Sequence, residues 1–400
     1  MAKLKKYAVS LDDVYTVEEL EAQLKSRRLV GVTQLSLNGR NWGDVGAELL
    51  AASSQLATLR ILDLGENQIT DAGAQALADS PHLAKLTTLK LHRNQIGDAG
   101  AMALAQSASL ANLVSLELHQ NSIGSEGAYA LGHSTTLLQL TTLRLYRNRL
   151  GAEGVVALTK DNGAATLTAL DIDNNSIGDA GAQAIAAASH LTALTSLNLS
   201  KNDLGPAGVA ALAQAPQLAQ LQNLDLYQNE IGPEGAQALA NSPHLRHLTT
   251  LNLGATSLGA AGVVALAQSP ILATLERLDL RSNELGDAGV KALAASPHLA
   301  QLQALLLNAN QIGDAGALAL AAAKSIASLT LLYLAENTIS NTGAAALANA
   351  PHLGNLTELD LWGNAIGTDG AAALNQSPYL TNLMLLDLSG STLDEDDDDE

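Results

Sequence analysis

Two histidines, His92 and His119, fall at equivalent places on what read as neighbouring strands, with Glu117 two residues before the second. Two imidazoles and a carboxylate at one height form a donor set that zinc accepts. A metal also needs groups that orient its ligands and a dry surround, and an open sheet face supplies neither, so no metal and no cofactor is expected. Asp171 and Asp173 share one side of a strand, which invites a glycosidase or calcium reading, but adjacent acids on a solvated strand need do neither. Five of the nine histidines, His82, His190, His244, His298 and His352, recur at multiples of 27 residues. A catalytic residue is needed once, so these five read as turn residues. The chain has no Gly-x-x-x-x-Gly-Lys, His-Glu-x-x-His or Gly-x-Ser-x-Gly segment, and no enzyme is expected.

The elements that carry these residues follow from a repeat. Aligned on Leu-x-Leu-x-x-Asn, the chain places Asn at 67, 94, 121, 148, 175, 202, 229, 283, 310, 337 and 364, every interval a multiple of 27. The same frame adds Arg40, Thr256 and Ser391, giving fourteen strand registers without an insertion. Leu59 to Leu64 alternates inward Leu62 and Leu64 with outward Ile61 and Asp63, the period of a half-buried strand. Ala74, Leu77 and Ala78 then follow at i, i+3, i+4, which predicts a short helix with one apolar stripe. Asp71, Asp98, Asp179, Asp287 and Asp314, replaced by Pro206 and Pro233 in two units, mark the helix's first turn, Asp through the dipole and Pro through its fixed φ. Gly recurs six residues after the frame, from Gly46 through Gly73 to Gly370, where close packing is the expected reason. The repeated Asn is expected to turn inward and satisfy backbone groups of its own turn and of the next unit.

These residues resemble the leucine-rich repeat superfamily, specifically the ribonuclease-inhibitor-like subclass with Leu-x-x-Leu-x-Leu-x-x-Asn and a helix in each unit. The Gly-Ala-x-Ala-Leu-Ala segment also resembles bacterial repeat arrays, including the GALA class of plant-pathogen effectors. GALA proteins carry an F-box, whereas residues 1 to 31 here read as one cap helix with Thr16 and Glu19 placed as a capping box, so the F-box function is not carried over. The expected fold is α/β: a leucine-rich-repeat solenoid of 27-residue repeats over residues 32 to 393, with a cap at 1 to 31 and a disordered acidic tail at 394 to 400. Strands ~4.8 Å apart and helices ~8 to 10 Å apart cannot stack flat, so a horseshoe is expected, with a parallel sheet on the concave face and helices on the convex one.

Outward strand positions are free to vary without harming the core, so a partner would be read there. One cluster comprises Lys90, His92, Arg93, Glu117, His119, Arg144, Tyr146 and Arg147 beside Asp171 and Asp173. Asp225, Tyr227 and Arg281 come next, then Leu306, Tyr333 and Trp362. Tyr, Trp and Arg are the usual interface anchors, and here they stand on the face least able to use them for packing. The expected function is therefore a non-enzymatic scaffold that binds a protein partner. An effector or immune-type receptor module is an alternative. A second alternative rests on a resemblance to Ran GTPase-activating proteins, which share helical leucine-rich repeats, an acidic tail and an Arg-Asn-Arg-Leu loop. Arg147, Asn148, Arg149 and Leu150 match that loop, and the resemblance implies a role for Asn148 in GTPase stimulation, although its register already gives it a structural one.

Charge narrows the partner. Forty acids against 21 basic residues give a net charge of −19, and even without the seven acids at 394 to 400 the acids prevail. Nucleic acid needs a basic surface and is disfavoured. No apolar run approaches a membrane span, there is no cysteine, and the first ten residues lack a secretory pattern. A monomer in the cytoplasm is expected, or one exported without a classical signal peptide. The acidic run is expected to guard the edge of the last strand against pairing with a second copy.

Overall fold

The computed structural model describes residues 15–26 and 28–390. The acidic run at 394–400, its edge-guarding role and the first fourteen residues of the expected cap lie outside them. The chain packs as two units, Met1–Asn198 and Leu199–Glu400.

In the first unit, α1 (Val17–Lys25) precedes seven strands: β1 (Gln34–Ser36), β2 (Ile61–Asp63), β3 (Thr88–Lys90), β4 (Ser115–Glu117), β5 (Thr142–Arg144), β6 (Ala169–Asp171) and β7 (Ser196–Asn198). Each is followed in sequence by a helix as far as β6: α2 (Gly43–Ala51), α3 (Asp71–Asp79), α4 (Asp98–Gln106), α5 (Ser125–Gly132), α6 (Gly151–Thr159) and α7 (Gly178–Ala187). The strands pair parallel in chain order, each residue facing the one 27 positions on, as Leu62 faces Leu89 and Leu89 faces Leu116. The capping box is formed: Thr16 Oγ1 accepts from the Glu19 amide at 3.1 Å, and Glu19 Oε2 accepts from the Thr16 amide at 3.0 Å.

The second unit contains α8 (Pro206–Ala213), β8 (Asn223–Asp225), α9 (Gly232–Ala240), β9 (Thr250–Asn252), α10 (Gly259–Ala267), β10 (Arg277–Asp279) and α11 (Gly286–Ala294). It continues through β11 (Ala304–Leu306), α12 (Asp314–Ala322), β12 (Leu331–Tyr333), α13 (Asn341–Ala348), β13 (Glu358–Asp360), α14 (Thr368–Asn375) and β14 (Leu385–Asp387). Its strands are again parallel and in chain order. In both units the leucines of the frame form the core between strands and helices: Leu62, Leu64, Leu77, Leu224, Leu226 and Leu239 are all buried.

Three side-chain ladders join neighbouring repeats. The first is the expected one. Asn94 donates Nδ2 to the carbonyls of Leu64 and Leu91 at 3.0 and 2.9 Å, while its Oδ1 accepts from the amides of Asn67 and Ile69, each at 3.0 Å. The second is made by serine just after the helix: Ser80, Ser107 and Ser134 donate to the carbonyls of Ala51, Ala78 and Ala105 in the preceding repeat. It lapses at Asp161, where the side chain pairs with His133 instead.

The third ladder corrects the reading of the helix-start acids. Asp71 opens α3, but its Oδ1 accepts from the amides of Gly97 and Gly100 at 2.6 and 2.9 Å, so it caps α4 in the following repeat. Asp44, Asp98, Asp287, Asp314 and Asn341 do the same for α3, α5, α12, α13 and α14. Those helices enter through an extended residue, such as Thr70 or Ser340. Where the preceding repeat has Ser125, Ala152, Pro206, Pro233 or Ala260 at that place, the next helix opens instead on Gly151, Gly178, Gly232, Gly259 or Gly286 with φ between +55° and +61°, which favours glycine. Where the cap is present, the Gly inside the helix makes room for it: a Cβ at Gly73 would lie 2.5 Å from Asp44 Oδ1 and 2.7 Å from Ile69 Cγ2.

Candidate functional site

With the core closed by leucine, the outward strand positions carry side chains that packing does not require. In the first unit Lys90, Glu117, Arg144 and Asp171 stand side by side on β3 to β6. Glu117 lies between two cations, 3.8 Å from Lys90 Nζ and 3.6 Å from Arg144 Nη1, and is itself buried. Two residues further on, the rings of His92, His119 and Tyr146 form a stack. Centroids are 4.7 Å apart for the first pair and 4.0 Å for the second, with interplanar angles of 8° and 15°. The stack follows from the repeat, which sets equivalent side chains one strand apart. Gly65 makes room for its first ring, since a Cβ there would collide with the His92 imidazole.

Burial drives the His119 imidazole down to a pKa of about 3, helped by His92, Arg144, Arg93 and Lys90. The ring is neutral at ordinary pH. Burial and the Asp171 carboxylate raise the Tyr146 phenol. Arg93 leaves the stack sideways, at 2.7 Å from Glu66 Oε1 and 2.5 Å from Gln120 Oε1. Arg147 is exposed. Arg93 and Arg147 occupy the position just before the ladder Asn, with φ of 52° and 54°. Asp173 sits two residues after Asp171 on the same face, half-buried like it.

The second unit carries a different surface. Asp279 holds Arg281 by two 2.9 Å bonds from Nε and a 2.7 Å contact from Nη2. The guanidinium so fixed lies 5.8 Å from the centre of the Tyr227 ring, and Lys201 Nζ lies 5.7 Å from the same ring. Asp225 accepts from Asn252 at 3.0 Å. Tyr227, Arg281, Asp360, Trp362 and Asp387 line an open cavity of about 540 Å³. Trp362 is 42% exposed, whereas Tyr333 is half-buried and donates its hydroxyl to Glu358 Oε2 at 2.7 Å.

Leu306, expected as an apolar anchor, is only 2% exposed. It lies in register between Asp279, which holds Arg281, and Tyr333, which bonds Glu358. Glu117 and His119 are likewise more covered than outward positions suggest, because long neighbours fold across the sheet. Sequence reasoning left out Asp279, Glu358, Lys201 and Asn38. Asp279 carried a signal, two residues before Arg281 on one face, while the other three depend on rotamers that no spacing specifies. Asn148 of the Arg-Asn-Arg-Leu segment spends its amide in the ladder: Nδ2 donates to the carbonyls of Leu118 and Leu145, and Oδ1 accepts from the Ile123 amide at 3.0 Å.

A strand and a helix in each 27-residue unit, joined in most units by an inward-turned Asn, define a leucine-rich-repeat array. Twelve segments match the family model described as Leucine Rich repeat: 55–78, 82–105, 109–132, 139–158, 163–186, 190–213, 220–240, 244–267, 272–294, 298–321, 326–348 and 352–374. The chain belongs to the leucine-rich repeat family. Solved structures agree on the fold. A leucine-rich-repeat protein of Leptospira interrogans is 20% identical with a TM-score of 0.54, covering 98% of this chain and 91% of its own. An internalin of Listeria monocytogenes is 24% identical with a TM-score of 0.51, covering 93% and 83%. No curated protein matches the sequence. Leucine-rich repeats commonly serve as protein-binding scaffolds. Among the described residues no helix is long and apolar enough to cross a membrane.

Proposed function

We propose that this chain is a non-enzymatic scaffold that recognises a protein partner on the outward face of its strands. The observation that carries this reading is the placement of large anchor-type side chains, Tyr146, Tyr227 and Trp362, over a core that leucine already fills. Arg144 and Arg281 stand beside the first two, and Arg with Tyr and Trp is the composition of interface hot spots. The helix in every 27-residue unit supports the ribonuclease-inhibitor-like subclass, and the acidic balance argues for protein over nucleic acid as the partner.

Affinity capture with the full chain, run in parallel with Tyr146→Ala, Arg144→Ala and Trp362→Ala, tests the reading. Loss of an aromatic anchor should weaken a partner's binding by about 2 kcal/mol, roughly 30-fold, while stability changes by less than about 0.5 kcal/mol. If all three variants fold and hold the captured protein as the parent does, the strand face is not the binding site and the helical face is where recognition must lie.

A further inference from the structure

The cluster of His92, Glu117 and His119 is not needed by the core and is more than a scaffold surface requires. One ligand atom from each residue lies within 4.8 Å of the other two. His119 is 6% and Glu117 8% exposed, and the Nδ1 atoms of both histidines are buried without a hydrogen-bond partner. Such an atom is unsatisfied in either tautomer, as a donor without an acceptor or a lone pair without a donor. Two orphaned imidazole nitrogens beside a buried carboxylate together offer three lone pairs to a cation. Glu117 has no tight commitment elsewhere, because its contacts to Lys90 and Arg144, at 3.8 and 3.6 Å, are longer than charge-assisted hydrogen bonds.

Both objections to a metal on an open sheet are met here. The surround is partly closed, since long neighbours and the Tyr146 ring cover Glu117 and His119. An orienting group is present as well: Asn38 Nδ2 lies 3.2 Å from His92 Nε2, and the amide turned over would offer Oδ1 to an Nε2–H, the contact that steadies a metal-bound imidazole. We infer that His92, Glu117 and His119 form a binding site for a zinc-class divalent transition metal on the outward face of β3 and β4. At bond lengths of about 2 Å the three donors would draw together by roughly 1.5 Å, a side-chain adjustment. The fourth position faces solvent. Lys90, Arg93 and Arg144 oppose a dication, so affinity falls below that of a closed four-ligand site, and they favour an anionic fourth ligand.

Cobalt(II) titration of the chelator-treated full chain tests the site. One equivalent should bind with the visible absorption of tetrahedral cobalt, and zinc should displace it. His92→Gln and His119→Gln should each abolish the band, Glu117→Gln should weaken binding at least about tenfold, and Lys90→Ala should tighten it. His298→Gln, from the turn series, should leave it unchanged. No band in the parent, or an equal band in His92→Gln with circular dichroism unaltered, overturns the proposal. The half-buried His92 keeps the test decisive even if the His119 variant misfolds.

Discussion

His119 is a neutral base under cover, and its cost is readable in acid. The folded ring titrates at about pH 3 and the unfolded one near 6.5, because burial, then His92 and the neighbouring cations, disfavour the imidazolium. Between those values the unfolded chain binds the extra proton, so this residue's contribution to stability falls as pH drops from 6.5 toward 3. Urea midpoints in chelator from pH 7.5 to 4.5 should therefore decline less steeply for His119→Gln than for the parent; parallel curves would show that the ring is solvated. The ladder offers a second residue-scale measurement. Thr256 holds the Asn place but directs its hydroxyl to the Leu253 carbonyl and Asn283 Oδ1, whereas its homologues reach back to amides 27 and 25 residues earlier. Thr256→Asn should supply that acceptor to Asn229 and Ile231 and raise stability by about 1 kcal/mol. An unchanged melting temperature would mean those amides are already satisfied. The Asn ladder was legible from spacing alone because a buried amide must be paired. The His92–His119–Tyr146 stack was legible only as proximity, since spacing gives the strand and the height but not the rotamer.

At the scale of the element, α3, α4, α5, α12, α13 and α14 are each capped from outside their own repeat. Asp71→Ala should cost about 1 kcal/mol, and its local effect should appear in α4 rather than in α3, as faster exchange of the Gly97 and Gly100 amides. Faster exchange confined to α3 would restore the dipole reading. The converse change, Ala260→Asp, should give Gly286 and Gly289 an acceptor, convert the entry of α11 to the extended form, and add stability of similar size. The sequence misled here for a physical reason. An Asp at the first helical position suits its own helix's dipole, and nothing within that helix reveals that the carboxylate points forward. The signal lay between repeats: Thr70 and Ser340 tolerate a side chain at the entry position, and both follow an Asp in the preceding repeat, whereas the positive-φ entries after Ser125, Ala152, Pro206, Pro233 and Ala260 are all glycine.

At the scale of the whole molecule, stability is a sum over repeats and their nearest neighbours, so it should be uneven where a ladder lapses. In the first unit the serine ladder ends at Asp161, and amides from 161 to 164 should exchange faster than those around Leu104. Equal protection would show that the His133–Asp161 pair replaces the lost bond fully. The repeat also departs from itself at Gly254 and Thr256, where Thr256 is fully buried and a Cβ at Gly254 would meet the Tyr227 ring at 2.9 Å. Leu145 and Tyr146 separate the two faces of one strand. Leu145→Ala should lose about 2 to 5 kcal/mol by opening the core, and Tyr146→Ala almost none.

The uniform offset of 27 residues has a consequence for how such a chain can change length. Because the ladder bonds connect a residue to places at a fixed distance behind or ahead, removing one whole period re-forms them across the junction, provided the flanking caps are of one kind. Asp287, Asp314 and Asn341 are of one kind, each serving the repeat after it. Excision of 27 residues between them hands Asp287 the Ser340 entry that Asp314 now caps. Recombination in phase is thus nearly silent structurally, while a slip of a single residue breaks every bond that crosses the splice.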